Sequence, residues 1–150
     1  MRVVLQRVSE AAVRIDKSVN GEIGSGLLIL VGIENEDTQE DIDWLAKKIV
    51  NLRIFADEEG LMNLSLLDIS GEILVISQFT LHAKTKKGNR PSYIKAARPE
   101  VSIPLYESFK TALSQLIGQT VACGKFGADM KVSLVNDGPV TITIDSKAKV

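Results

Sequence analysis

The sequence predicts a single α/β domain of the α+β-like kind. Its strands are mostly antiparallel or mixed, in two layers or a partial barrel, with two amphipathic helices packed on one side. Three observations carry this. The chain has 150 residues, enough for one core and too few for two. Strand-like and helix-like patterns alternate as strands, helix, strand, helix, strands. Both helical stretches have a single apolar stripe, so they cover one side of a strand-rich core.

The N-terminal third reads as strands. Arg2–Val8 and Ala11–Ile15 are rich in β-branched residues with near alternation. Asn20-Gly21, between Val19 and Ile23, is a type I′ hairpin signal. Leu27–Ile33 is a continuous apolar run and predicts a strand covered on both faces. Thr38 and Asp41 resemble a capping box, and Ile42, Leu45, Ile49 and Leu52 then form one stripe at helical spacing. Asp57–Gly60 reads as a turn, and Gly71–Ser77 as a second buried strand. His82 to Pro99 is polar, basic and punctuated by Gly88, Pro91 and Pro99, so it reads as a long loop. Leu105, Phe109, Leu113 and Leu116 mark a second helix from about Pro99 to Ile117, ended by Gly118. Pro104 is expected near its first turn, where a missing N–H costs least. Thr120–Cys123, Lys131–Val135 and Val140–Ile144 return to strands, the last two separated by the turn-forming Asn136-Asp137-Gly138-Pro139.

Composition narrows the function classes. With 45% hydrophobic and 25% charged residues the chain is neither disordered nor collagen-like. No apolar run reaches the ~18 residues of a membrane span, and no N-terminal signal pattern is present. One cysteine and one histidine argue against a disulfide framework or a zinc site, and point to the reducing cytoplasm. The net charge of −1 conceals an asymmetry. No acidic residue lies between Glu72 and Glu100, while Lys84, Lys86, Lys87, Arg90, Lys95 and Arg98 do; that segment carries +6 and the rest of the chain −7. A localised anionic partner or a solvated charged loop both account for it.

The polar end of the second buried strand, Ser77-Gln78-Phe79-Thr80-Leu81, lies beside this basic segment. Thr80 is a nucleophile only if a base activates it, and His82 is the nearest candidate, on the same face if the strand continues. The bland alternative makes Ser77 and Thr80 strand-end caps and His82 a solvated loop residue. Lys125–Met130 reads as a tight turn in which Gly127 supplies unusual backbone angles.

Several motifs together resemble the D-aminoacyl-tRNA deacylase family of the bacterial and eukaryotic type. Met1–Val8 resembles that family's opening strand, and Asn51–Phe55 and Met62–Leu66 resemble its central segments. Ser77–Leu81 and Asn136–Thr141 match its two signatures, and Phe126–Met130 the turn between them. His82 departs from the family, where many members carry Tyr, which argues against His82 as an obligatory base. The resemblance implies one domain over 1–150, a homodimer, and hydrolysis of the ester of D-aminoacyl-tRNA to free tRNA and D-amino acid. It implies no metal or cofactor, no membrane and no DNA partner.

As site residues it implies Ser77, Gln78, Phe79 and Thr80 for catalysis. Phe126, Ala128 and Met130 would line the substrate pocket. A cis Gly138-Pro139 peptide, pinned by Arg7 and reaching the partner subunit's pocket, would be the chirality filter. Lys84, Lys86, Lys87 and Arg90 would contact the tRNA backbone. Backbone N–H groups near Gln78, Phe79 and Thr80 would polarise the ester, with attack assisted by the ribose 2′-hydroxyl or made by Thr80 itself. Clearance of glycyl-tRNA is a further expectation. A non-catalytic RNA-binding module and a general esterase using Thr80 are the competing readings.

Overall fold

A computed structural model describes residues 1–150. Its first strand, β1, runs unbroken over Arg2–Ile15, where the sequence suggested two shorter pieces. The hairpin that follows turns at Asp16-Lys17, both at positive φ, and not at Asn20-Gly21. Asn20 and Gly21 lie inside β2 (Ser18–Ile23), in register with β1 from Ala11↔Ile23 to Ile15↔Ser18. β3 (Gly26–Gly32) pairs antiparallel with the first half of β1 and parallel with β6 (Glu72–Ser77). Between them come α1 (Gln39–Asn51) and a small hairpin of β4 (Phe55–Ala56) and β5 (Met62–Leu64).

The expected capping box is present at α1. The Thr38 backbone N–H donates to the Asp41 carboxylate at 2.8 Å, and Ile42, Leu45 and Ile49 are buried. A 3-10 turn over Phe79–His82 follows β6 directly. α2 spans Pro99–Ile117 as the sequence indicates and ends on Gly118 in the left-handed region. Pro104 sits in its second turn, not its first. The carbonyl deprived of its usual helical donor belongs to Glu100, an exposed residue.

β7 (Ala122–Cys123) adds parallel to β6, and β8 (Lys131–Asp145) pairs antiparallel with nearly all of β1. The hydrogen-bonded order is β2-β1-β3-β6-β7, with β8 on the other edge of β1. The path curls back on itself: the Asn20 side-chain amide in β2 donates to the Cys123 carbonyl in β7 at 2.8 Å. The result is a nearly closed barrel with both helices on one side.

Two apolar clusters follow from this geometry. β3 and β6 are buried on both faces, as their unbroken apolar runs require. Leu27, Ile29, Ile73 and Val75 face the helices, meeting Ile42, Leu45, Ile49, Tyr106, Phe109 and Leu113. Leu28, Leu74 and Ile76 face the barrel interior with Val8, Ala11 and Val13. The parallel β3–β6 pair also explains Gly26. A Cβ there would lie 1.9 Å from the Glu72 carbonyl oxygen, so only glycine lets the two backbones meet at the start of the pair.

The two expected C-terminal strands are one strand with a lobe in it. Partner pairs jump from Gln6↔Thr141 to Val8↔Asn136. Arg7 alone on β1 therefore opposes four residues, Asp137–Val140, on β8. This is an enlarged bulge, the device that re-aims backbone at functional positions.

Candidate active site

The polar segment after β6 forms one rim of a cavity of about 300 Å³. Ser77 ends β6, and the Gln78 N–H is spent on the Val31 carbonyl at 2.7 Å. Of the three expected carbonyl-polarising donors, Gln78 is thus withdrawn. The N–H groups of Phe79 and Thr80 open the 3-10 turn and have no backbone acceptor, as at the start of any helix.

The opposite wall is Phe126, Gly127, Ala128, Asp129 and Met130. Phe126 is wedged against Tyr106, ring centroids 5.8 Å apart. Tyr106 is itself buried and donates its hydroxyl to the Val75 carbonyl at 3.2 Å. Burial, with the neighbouring Cys123 and Glu107, pushes its phenol pKa well above the ordinary range, so it stays a neutral donor that fixes the wall. The pocket residues Phe126, Ala128 and Met130 are therefore brought together with Ser77, Gln78 and Phe79.

The structure does not gather every expected residue. Thr80 is not on the cavity lining, and its hydroxyl accepts from the Gln78 side-chain amide at 2.5 Å. An amide takes no proton from it. His82 is buried, contrary to the solvated-loop reading, and no hydrogen bond joins it to Thr80. A 3-10 turn advances about 120° per residue, so Thr80 and His82 point apart where a strand would have aligned them. The His82 ring tucks under Gly32, and its Nδ1 faces the Glu34 carboxylate at 4.0 Å. No cluster of three or more metal-ligating side chains forms anywhere in the chain. Val31, Ser102 and Val132 also line the cavity. The sequence does not single them out, because each looks like an ordinary strand or helix position.

Arg7 holds the β8 lobe from behind. Its side chain is nearly buried, its Nε donates to the Asp137 carbonyl at 2.8 Å, and one terminal nitrogen donates to the Ile54 carbonyl at 2.5 Å. The Asn136 side chain closes the lobe, accepting from the Val140 N–H at 2.8 Å. The Gly138-Pro139 peptide is cis, and both residues are exposed, off the cavity lining of their own chain. Gly138 has φ +147°, and a Cβ there would lie 2.9 Å from the Val140 nitrogen.

The six cations of the basic segment are all exposed, and none forms an ion pair. Lys84 and Ser92 exchange backbone hydrogen bonds of 2.8 and 3.0 Å, which closes the loop carrying Lys86, Lys87 and Arg90.

Comparison with known proteins gives consistent matches. A family model described as D-Tyr-tRNA(Tyr) deacylase matches residues 4–145. A D-aminoacyl-tRNA deacylase of Bacteroides thetaiotaomicron is 67% identical over 149 residues, covering 99% of both chains. One from Flavobacterium psychrophilum is 65% identical over the same share. A solved structure titled c-Myc DNA Unwinding Element Binding Protein superposes with a TM-score of 0.93 at 41% identity, covering 99% of this chain and 100% of its own. A probable eukaryotic D-amino acid tRNA deacylase shares the fold, with a TM-score of 0.83 at 18% identity, over 95% of this chain and 97% of its own.

Proposed function

The chain belongs to the D-aminoacyl-tRNA deacylase family, a family of hydrolases, and from that premise we propose how its own residues carry out the hydrolysis. The reading rests on one observation. A single cavity has Phe79, with its unspent backbone N–H, on one rim, the unspent Thr80 N–H next along the turn, and the Phe126–Met130 wall opposite. The terminal adenosine and its ester enter this cavity. An aminoacyl ester is already activated, so the chain needs to position it, polarise its carbonyl and admit water. The Phe79 and Thr80 N–H groups meet the developing oxyanion, each such donor contributing about 3–4 kcal/mol. Thr80, hydrogen-bonded to an amide and lacking a base, orients the turn, and the ribose 2′-hydroxyl assists the attacking water.

The chirality filter is the Gly138-Pro139 lobe. In a lone chain it is exposed and lies off the cavity lining, so in this reading the wall is supplied by the same lobe of the partner subunit, and the active species is a homodimer. Exposed Val135, next to the lobe on β8, suits that interface. Fixed backbone excludes an L side chain and leaves a D side chain free, whatever its chemistry. Achiral glycine passes the same filter, so glycyl-tRNA is a further substrate. The enzyme works in the cytoplasm, where aminoacyl-tRNA is made. The direct test incubates the protein with D-tyrosyl-tRNA, L-tyrosyl-tRNA and a simple aryl ester. Turnover confined to the first supports the reading; equal turnover of all three makes the protein a general esterase, and binding without turnover an RNA-binding module.

Two variants extend this test. Thr80→Ala is expected to keep deacylase activity within about tenfold of wild type. Loss to background in single-turnover assays, with fold and tRNA binding retained, would instead make Thr80 the nucleophile. Replacing Lys84, Lys86, Lys87 and Arg90 together by Ala is expected to weaken tRNA binding and flatten its salt dependence by about 0.7–0.9 log units per lost phosphate contact. An unchanged slope would place the RNA elsewhere. One structural relative is named as a DNA-binding protein, so single-stranded DNA of equal length is the control, and it is expected not to compete with charged tRNA.

A further inference from the structure

An aromatic pair lies just outside the cavity, and packing does not account for it. Phe79 is 55% exposed and Tyr93 38% exposed, their ring centroids 5.0 Å apart and their planes at 76°. Neither ring belongs to either apolar cluster of the core. Ile94, beside Tyr93, is 78% exposed. Phe79 lines the cavity and Tyr93 does not, so the pair leads outward from the site. Tyr93 follows Ser92, whose backbone is tied to Lys84 at the base of the cationic loop. The ring is therefore held in fixed relation both to the cavity rim and to the unpaired lysines.

An aromatic face beside unpaired cations is how proteins bind single-stranded nucleic acid: the ring stacks on a base while the cations meet phosphates, and every base offers a π-face. The aminoacyl end of tRNA is unpaired. With its terminal adenosine in the cavity, the nucleotide before it passes over the rim. We propose that Tyr93, braced edge-on by Phe79, is a stacking platform for the base of the nucleotide preceding the terminal adenosine. This rests on the deacylase reading and adds to it a residue that recognises RNA beyond the hydrolysed ester. It makes the enzyme prefer the ester on a polynucleotide over the same ester on free adenosine.

The test compares D-tyrosyl-tRNA with D-tyrosyl-adenosine, which lacks the preceding nucleotide. Wild type, Tyr93→Phe and Tyr93→Leu are assayed on both. Tyr93→Leu keeps apolar contact with Phe79 but loses the stacking face. It is expected to lower kcat/KM on the tRNA about 10-fold or more, through KM, and to leave the adenosine ester unchanged. Tyr93→Phe is expected to match wild type on both. Equal losses on the two substrates would make Tyr93 a structural residue, and no loss on the tRNA would remove the platform; either overturns the proposal. Equilibrium binding of the trinucleotide CCA and of AMP gives a second reading independent of turnover. Tyr93→Leu is expected to weaken only the former, and equal binding of CCA by wild type and variant overturns the proposal as well. Failure of wild type to cleave D-tyrosyl-tRNA would sink the deacylase reading itself, a distinct outcome.

Discussion

Gly138→Ala is expected to lower D-aminoacyl-tRNA hydrolysis by about 100-fold or more, equivalent to roughly 2.7 kcal/mol of transition-state stabilisation. The reason is local and steric. Gly138 sits at φ +147°, where L side chains are strained, and a Cβ would lie 2.9 Å from the Val140 nitrogen and 3.1 Å from a terminal nitrogen of Arg7. The lobe must shift to admit the methyl group, and in the proposed filter that methyl would crowd the bound α-carbon. Gly138, Asp137 and Pro139 are all exposed, so the shift leaves the barrel and both helices intact. Single-turnover hydrolysis of D-tyrosyl-tRNA, with a melting curve alongside, checks this. A well-folded variant with wild-type rates would show that Gly138 does not meet the substrate.

Arg7→Ala acts in the opposite way, by releasing the lobe instead of crowding it. The expected result is a D/L rate ratio narrowed by tenfold or more, about 1.4 kcal/mol of discrimination. One guanidinium bridges two carbonyls, those of Asp137 in the lobe and Ile54 before β4. Hydrogen bonds from a charged donor contribute about 1.5–3 kcal/mol each, so stability falls too. Arg7→Lys restores the charge but not the two-pronged geometry, and is expected to recover less than half of the lost ratio. The measurement is initial rates on D- and L-tyrosyl-tRNA at equal concentration. A variant of unchanged ratio would mean that the lobe holds its shape without Arg7.

Much of the fold is legible in the sequence where the signal is local. The Thr38–Asp41 box and the stripe through Ile42, Leu45 and Ile49 depend only on neighbours within one helix. The two-faced burial of Leu27–Val31 follows from an apolar run that no half-exposed strand tolerates. What depends on pairing is less visible. Asn20-Gly21 is the stronger turn signal, yet the hairpin turns at Asp16-Lys17, because pairing Ala11 with Ile23 fixes the loop four residues earlier. Asn136–Pro139 has turn composition, but only the partners on β1 reveal that it interrupts one long strand. His82 looks like a loop residue until the 3-10 turn carries it beneath Gly32. At the site, Ser77–Thr80 and Phe126–Met130 stand out as motifs. Ser102 and Val31 reach the same cavity from a helix and a strand whose sequences carry no trace of it.

The pairing of β1 with β8 has a consequence for how the molecule is made. Arg7 is synthesised well before Gly138, yet they share one bulge. At about 5–20 residues per second, a nascent chain carries β1 on the order of ten seconds before β8 emerges to pair with it. Throughout that interval the long outer edge of β1 has open N–H and C=O groups, a template for any other extended chain. Contacts of such high sequence separation also form slowly once both partners exist. The bulge that Arg7 and Gly138 share therefore cannot form until β8 is free of the exit tunnel, and a chain stalled before that point is prone to aggregate. Misfolding in this protein is expected to begin at that edge, with residues 2–14 as the segment a holding chaperone must cover.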